Sequence, residues 1–336
     1  MRKTYRITVV GGGSWGTAIA NLLGNNGHDT ILWVRNRELL TFLKEKRENP
    51  IYLKGVKLSR NILFSNNLEE SLKNRDIVAF AIPVSFLRGV LKEIKQKPNG
   101  MAVSLSKGIE IDSFMTPTEV IKESLGIHED GLAALSGPNF AREVAQSLPT
   151  ATVVASKNKE TAMAVQDAFS SPTFRVYTTS DVKGVELCGA MKNIIAIASG
   201  ISDGLSLGLN ARASLITRGL AEIVRFGSRF GAKRETFMGL AGVGDLILTC
   251  TGNLSRNRSV GLRLANGETI EAILSSSKMV PEGVSTVKAV YMYSKEISVE
   301  LPITQEVYRI IYEGKNPKEA VKSLMNRPLK EEYYLL

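Results

Sequence analysis

Apolar residues follow two different rhythms along this chain. Through the first half, short β-branched and apolar runs recur between polar, turn-rich stretches, and such runs read as buried strands. The first, at 6–10, carries Ile7, Val9 and Val10. Others predict strands at 30–34, 76–82, 101–104, 132–135, 151–155 and 174–178. Between the first two, Ala18, Leu22 and Leu23 share one side of a helix expected over 17–26, with Gly27 as its stop; 84–95 predicts another helix. Strands alternating with helices imply a doubly wound, mostly parallel sheet. From about Asp181 the rhythm changes. Ala190, Ile194, Ile197 and Ile201 have helical spacing, as do Ile216, Leu220 and Ile223, and more helices are expected at 286–293, 303–312 and 317–324. The pattern thus predicts an α/β domain over 1–182 and an all-α domain over 183–336. No repeat at a fixed period and no low-complexity segment interrupts it.

The first strand runs into Gly11-Gly12-Gly13-Ser14-Trp15-Gly16, which fits G-x-G-x-x-G between a strand and a helix. That setting makes the motif a dinucleotide-binding signature and the first domain Rossmann-type. Gly11 permits the tight turn, Gly13 lets backbone approach a pyrophosphate, and Gly16 lets the helix pack against the strand. Free N–H groups at the helix start then hold the anion. An acidic residue at the end of the second strand would mark NAD(H). Here the stretch reads Trp33-Val34-Arg35-Asn36-Arg37, and the first acid is Glu38. Arg35 suits a 2′-phosphate, so NADP(H) is the preferred cofactor, with NAD(H) also admissible. The plainer reading of Arg35 and Arg37 is two surface cations on a basic chain.

Composition narrows the classes. The net charge of +10 is spread along all 336 residues, with no basic run interleaved with aromatics, so nucleic acid is not an expected partner. The apolar stretch 77–87 is broken by Pro83 and Ser85 and is too short to span a bilayer. Met1-Arg2-Lys3-Thr4-Tyr5 leads straight into a strand without an apolar signal segment. With only Cys188 and Cys250, read as reduced buried thiols, the expected location is cytoplasmic. His28 and His128, the two histidines, stand in no motif, so neither a histidine-based dehydrogenase nor a metal site is supported.

Three features of the second half carry candidate chemistry. Lys192 and Asn193 interrupt an otherwise apolar helix. A lysine there needs a partner or a pocket, and a tuned lysine can act as general acid or polarise a carbonyl; the alternative is a polar surface stripe. Asp245 closes the glycine-rich run 239–245 and shares a helix face with Thr249. It either orients a lysine or caps a helix. Ser255-Arg256-Asn257-Arg258 offers a hydroxyl, an amide and guanidinium forks, which makes either a phosphate clamp or a solvated basic turn. Pro83, Lys107 and Gly137-Pro138 all fall just past strand ends, where ligands of such sheets bind.

Taken in order, these segments resemble the bacterial NAD(P)-dependent glycerol-3-phosphate dehydrogenase family over nearly the whole chain. The likeness runs through the glycine turn with Ser14-Trp15, Ser106-Lys107-Gly108 and Ser136-Gly137-Pro138-Asn139-Phe140-Ala141. It continues through Lys192-Asn193-Ile194-Ile195-Ala196-Ile197-Ala198, Asn210-Ala211-Arg212-Ala213 and Thr217-Arg218-Gly219-Leu220-Ala221-Glu222. Gly242-Val243-Gly244-Asp245-Leu246 and Ser255-Arg256-Asn257-Arg258 complete it. The resemblance implies reduction of dihydroxyacetone phosphate to sn-glycerol 3-phosphate for phospholipid synthesis, with Lys192 exchanging the proton at the C2 oxygen. It implies that Lys107, Gly137, Asn139, Lys192, Asp245, Ser255, Arg256 and Asn257 contact substrate, with Thr249 nearby. It likewise assigns Ser14, Trp15, Arg35, Lys107, Ala141, Arg256, Val280 and Glu282 to the cofactor.

This chain departs from the family at two positions. Many members carry Ser or Thr where Asn139 stands; an asparagine still donates to an anion. Gly12 replaces the commoner Ala, a change expected to be sterically harmless. A homodimer is admitted but not fixed by the sequence. Two rival readings are another hydroxy-acid or sugar-acid dehydrogenase of the same plan, and a non-catalytic NADP(H)-binding regulator that would not need Lys192, Asp245 and Arg256 together.

Overall fold

The computed structural model describes residues 3–277 and 280–332; Met1 and Arg2, part of the expected leaderless start, lie outside them. The chain divides into two compact units, Met1–Ser106 with Pro117–Val182, and Lys107–Thr116 with Lys183–Leu336. A single cut after residue 182 therefore misplaces one segment. The stretch 107–116 leaves the sheet unit and packs with the helical one, where the Phe114 ring stacks on Tyr293 with centroids 4.5 Å apart.

The first unit is one eight-stranded sheet. Its strands are β1 (Arg6–Val10), β2 (Asp29–Trp33), β3 (Ile62–Ser65), β4 (Ile77–Phe80), β5 (Met101–Ser104), β6 (Leu132–Ser136), β7 (Thr150–Ala155) and β8 (Phe174–Thr179), in spatial order β3-β2-β1-β4-β5-β6-β7-β8. All neighbours pair in parallel except β6 with β7. The central strands carry no polar face: Ile77, Val78, Ala79 and Phe80 are all fully buried, as strands covered on both sides must be. The helices of this unit are α1 (Ser14–Asn25), α2 (Arg37–Lys46), α3 (Leu68–Leu72), α4 (Val84–Leu91), α5 (Pro117–Leu125), α6 (Ala141–Ala145) and α7 (Lys159–Phe169). Strand order reverses between β1 and β4, which places the glycine turn after β1 at the switch point where such sheets bind ligands.

Several boundaries differ from the periodicity. The strand expected over 76–82 pairs only over Ile77–Phe80, because Pro83 then opens α4 as its cap. The helix expected to reach residue 95 stops at Leu91, and Glu93 lies in the turn beyond it. The edge strand β3 escaped notice because it is four residues long and its Leu63 is 62 % exposed, leaving little alternation to read. His28 is structural: buried, it packs edge-on against Tyr5 and lies 2.8 Å from the Ala168 carbonyl oxygen.

The second unit is helical, with no strand among its described residues. It comprises α8 (Val182–Gly204), α9 (Gly208–Ser228), α10 (Arg234–Met238), a five-residue π-helix (Leu240–Gly244), α11 (Asp245–Thr251), α12 (Arg256–Ala265), α13 (Ile270–Ser275), α14 (Glu282–Glu296), α15 (Pro302–Tyr312) and α16 (Pro317–Met325). Helix α8 is long and apolar enough to cross a membrane by composition, but its apolar window is entirely buried, as in the core helix of a globular protein. Cys188 and Cys250 are buried and form no disulfide with each other. Among the described residues no His, Cys, Asp or Glu cluster could hold a metal ion.

Candidate functional site

The glycine turn is shaped by what a side chain would strike. Gly11 has φ +121°, a conformation that L side chains rarely adopt, and a Cβ there would lie 2.5 Å from the Ala81 carbonyl oxygen. A Cβ on Gly16 would lie 2.0 Å from the Gly11 oxygen. At Gly13 a Cβ would meet no protein atom within 4 Å, so the turn offers bare backbone to a ligand. Gly13 also caps α1 without a side-chain hydrogen bond, so no cap side chain competes for the first-turn N–H groups. Nearby, Trp15 Nε1 is buried with no hydrogen-bond partner. A cradle without Cβ atoms, a helix N-terminus without a side-chain cap and an orphaned donor together fit a phosphate-bearing nucleotide.

One residue that secures this turn gave no signal in the sequence. Asn49, fully buried, donates from Nδ2 to the Gly12 carbonyl (2.9 Å) and to Thr17 Oγ1 (2.8 Å). It lies beyond α2, and only the fold brings it back. The structure also shows what the glycine at position 12 makes room for. A Cβ on Gly12 would lie 2.4 Å from Val34 Cγ1, because Val34 has taken the space a methyl group would need.

Arg35 stands just past β2. Its guanidinium carbon lies 5.5 Å from the Trp33 ring centroid, and Nη2 lies 2.9 Å from Glu93 Oε1. Farther along the same unit, Gly137 has φ +153°, and a Cβ there would lie 2.8 Å from Thr152 Oγ1. Asn139 donates to that hydroxyl (3.1 Å), which donates in turn to the Ser136 carbonyl (2.8 Å). Ala141 opens α6 and is half-buried against the sheet core.

In the second unit, Lys192 lies in the buried middle of α8 and is only 6 % exposed, which removes the surface-stripe reading. Its ammonium donates to Asp245 Oδ1 (2.6 Å) and to Thr249 Oγ1 (2.7 Å). The Thr249 hydroxyl donates to the Asp245 backbone carbonyl one turn back (2.6 Å). Lys107 Nζ reaches the other carboxylate oxygen, Asp245 Oδ2, at 2.7 Å. One buried carboxylate thus lies between two ammoniums. Asp245 is not the N-cap of α11, a place Gly244 takes: it is the first residue of that helix, delivered there by the π-helix, a distortion that often marks functional sites. Burial pushes the Lys192 ammonium down from the ordinary lysine value to about 8; Asp245 resists that shift and Lys107 adds to it. Burial pushes the neighbouring Cys250 thiol up to about 12, which keeps it protonated and unreactive.

The segment 255–258 separates into different roles. Ser255 caps α12, its hydroxyl oxygen accepting from the Arg258 N–H at 3.2 Å. Arg258 is tied to Asp203, Nη2 to Oδ2 at 2.7 Å, which removes it from the expected clamp. Asn257 is buried; Nδ2 donates to Asn193 Oδ1 (2.9 Å) and Oδ1 accepts from the Gly283 N–H (3.0 Å). Asn193 thereby positions Asn257, a link the spacing did not reveal. Arg256 is exposed and donates to the Val280 carbonyl at 3.3 Å, with Glu282 opening α14 two residues on.

Family models cover most of the chain. The model for the NAD-dependent glycerol-3-phosphate dehydrogenase N-terminus matches residues 6–162, and that for the C-terminus matches residues 181–322. The chain belongs to the NAD-dependent glycerol-3-phosphate dehydrogenase family. Family members of the same length are similar from end to end. The glycerol-3-phosphate dehydrogenase [NAD(P)+] of Solidesulfovibrio magneticus is 49 % identical over 97 % of this chain and 100 % of its own. That of Geobacter sulfurreducens is 48 % identical over 97 % and 98 %. The crystal structure of glycerol-3-phosphate dehydrogenase from Coxiella burnetii superimposes with a TM-score of 0.91 at 37 % identity, covering 96 % of this chain and 99 % of that one. The family is one of oxidoreductases, and NAD(P) dependence stands in the names of these bacterial relatives.

Proposed function

We propose that this chain catalyses the reversible, NAD(P)H-dependent reduction of dihydroxyacetone phosphate to sn-glycerol 3-phosphate. The observation that carries the reading is the buried Lys192 ammonium, held by Asp245 and Thr249, in a chain of this family. The nicotinamide cofactor, when bound, supplies the hydride that adds to C2. Negative charge then grows on the C2 oxygen as the carbonyl π bond breaks. An ammonium has three donors, and Lys192 commits two of them to Asp245 and Thr249. The third stabilises the developing alkoxide and delivers its proton. Solvent returns a proton to Lys192, so the sum consumes one hydride and one proton.

Residues Gly11, Gly13, Ser14, Trp15 and Gly16 hold the nucleotide in this reading, and Ala141, Val280 and Glu282 keep the cofactor role that the family resemblance implies. Arg35 takes the 2′-phosphate, which makes NADP(H) the preferred cofactor. For the substrate phosphate, the reading enlists Arg256 and the free N–H groups at the start of α12. Asn257 keeps one amide hydrogen for the same task, and Gly137, Asn139, Lys107 and Ser255 keep the substrate role that the family resemblance implies. Binding energy gathered on the phosphate orients the ketone. Supply of phospholipid precursors, in a cytoplasm that keeps Cys188 and Cys250 reduced, is the cellular role that goes with this chemistry.

The test is loss of NADPH absorbance with purified protein and dihydroxyacetone phosphate, repeated with NADH and with unphosphorylated dihydroxyacetone. Rapid oxidation that requires the phosphate is the expected result. Nucleotide binding without oxidation would move the chain first to a different substrate and then to the regulator reading.

A further inference from the structure

The glycine turn says where a nucleotide's phosphates go, not which nucleotide is chosen. In sheets of this type the choice is made at the end of the second strand, where a carboxylate accepts the ribose 2′-OH or an arginine accepts a 2′-phosphate. The local sequence offers Arg35 and Arg37 but no carboxylate at the strand end; Glu38 lies in the first turn of α2, where it complements the helix N-terminus. The fold nevertheless brings a carboxylate to the spot. Glu93, from the turn after α4 and 58 residues further along the chain, places Oε1 2.9 Å from Arg35 Nη2. The other flank of the guanidinium faces the Trp33 ring.

We propose that Glu93 is a specificity-determining residue: its carboxylate competes with the cofactor's 2′-phosphate for Arg35 and accepts the 2′-OH of the unphosphorylated cofactor. The proposal rests on the reading that Arg35 takes the 2′-phosphate. Both partners are solvent-exposed, at 59 % and 49 %, and exposed pairs of this kind are weak enough to exchange. The phosphate therefore displaces Glu93 readily, but the displaced carboxylate stays close to a group carrying almost two negative charges. A cofactor with a hydroxyl at the same position displaces nothing and gains an acceptor. Both effects act in the same direction, lowering the preference for NADPH below what Arg35 alone would give.

The experiment is calorimetric titration of the full chain with NADPH and with NADH, for wild type, Glu93→Gln, Arg35→Ala and the double variant. Binding is read without turnover, so the result does not depend on the reaction assigned above. Glu93→Gln is expected to raise the ratio Kd(NADH)/Kd(NADPH) about three- to tenfold, a range set by one screened surface charge. The gain should shrink in high salt, and in the Arg35→Ala background it should fall to the part that comes from the 2′-OH contact and the repulsion of the phosphate. If Arg35→Ala leaves the ratio unchanged, the arginine reading fails and the competition fails with it. If Arg35→Ala collapses the ratio while Glu93→Gln leaves it unchanged, the arginine reading stands and the role of Glu93 is overturned.

Discussion

The two anion-facing regions of this molecule are made in opposite ways. The glycine turn after β1 works by keeping side chains out. Gly11, Gly13 and Gly16 clear space, and the positive potential comes from the N–H groups at the start of α1. Nothing in that potential titrates. The α8–α11 cluster works by crowding side chains in: Lys192, Lys107, Asp245 and Thr249 meet in a buried place. Its charges are whole, and their protonation depends on one another and on burial. A region built of backbone is suited to holding a ligand at any physiological pH. A region built of coupled ionisable groups is suited to moving a proton.

The largest expected effect falls on the reacting region alone. Lys192→Ala should lower kcat by roughly 10³-fold, within the usual range for a positioned proton donor. Titration with NADPH should show binding retained; loss of both functions together would break the division between holding and reacting. The converse change is Gly16→Ala. Its Cβ would lie 2.0 Å from the Gly11 oxygen, a backbone atom that cannot swing away. Destabilisation of about 1–3 kcal/mol in urea denaturation is expected from overpacking, together with weakened NADPH binding.

A smaller effect sharpens the contrast in pH. The proposed mechanism needs a protonated Lys192, and burial lowers that ammonium to about 8 from the ordinary lysine value. The rate of ketone reduction should therefore fall as pH rises through about 8, while NADPH affinity stays flat over the same range. Asp245→Asn removes the charge that holds the proton in place, so the falling limb should move to lower pH. A pH–rate profile unmoved by that change would separate Asp245 from the proton chemistry.

The smallest effect lies within the turn. Gly12→Ala sets a methyl group against Val34 and should cost about 1 kcal/mol, at the low end of overpacking because Val34 is a side chain that can adjust. Combined with Val34→Ala, the two changes should cost less than their sum in a denaturation double-mutant cycle.

How far the sequence revealed each region follows from how it is built. The turn is a local object: its glycines, preceding strand and following helix are contiguous, so their roles could be read from order alone. What escaped notice there arrives from elsewhere, namely Asn49 on the Gly12 carbonyl and Glu93 on Arg35. The lysine cluster draws on positions 107, 192, 245 and 249, and no spacing rule links the first three. Their association came from family resemblance, whereas the Asp245–Thr249 pair was visible as neighbouring positions on a helix. The segment 255–258 shows the limit of reading residue types. Four polar residues suggested one clamp, yet Ser255 is a helix cap, Arg258 is held by Asp203, and Asn257 is braced by Asn193. The short edge strand β3 and the early end of α4 were missed because a few half-exposed residues carry no usable periodicity.

The segment Lys107–Thr116 has a consequence for any attempt to take the protein apart. Because it leaves the sheet unit and returns, the polypeptide passes between the two units three times, at 106/107, 116/117 and 182/183. A gene truncated after residue 182 would not yield an intact first half and a missing second. It would encode a sheet unit trailing a ten-residue loop whose lysine has lost its carboxylate, while residues 183–336 expressed alone would leave Asp245 without one of its two cations. A single protease nick at 182/183 would likewise leave the pieces joined through the other two passages only if the loop stayed seated. Independent expression of the halves requires moving 107–116 with the helical unit and closing the gap between Ser106 and Pro117, so the practical module boundary is a graft with three joints.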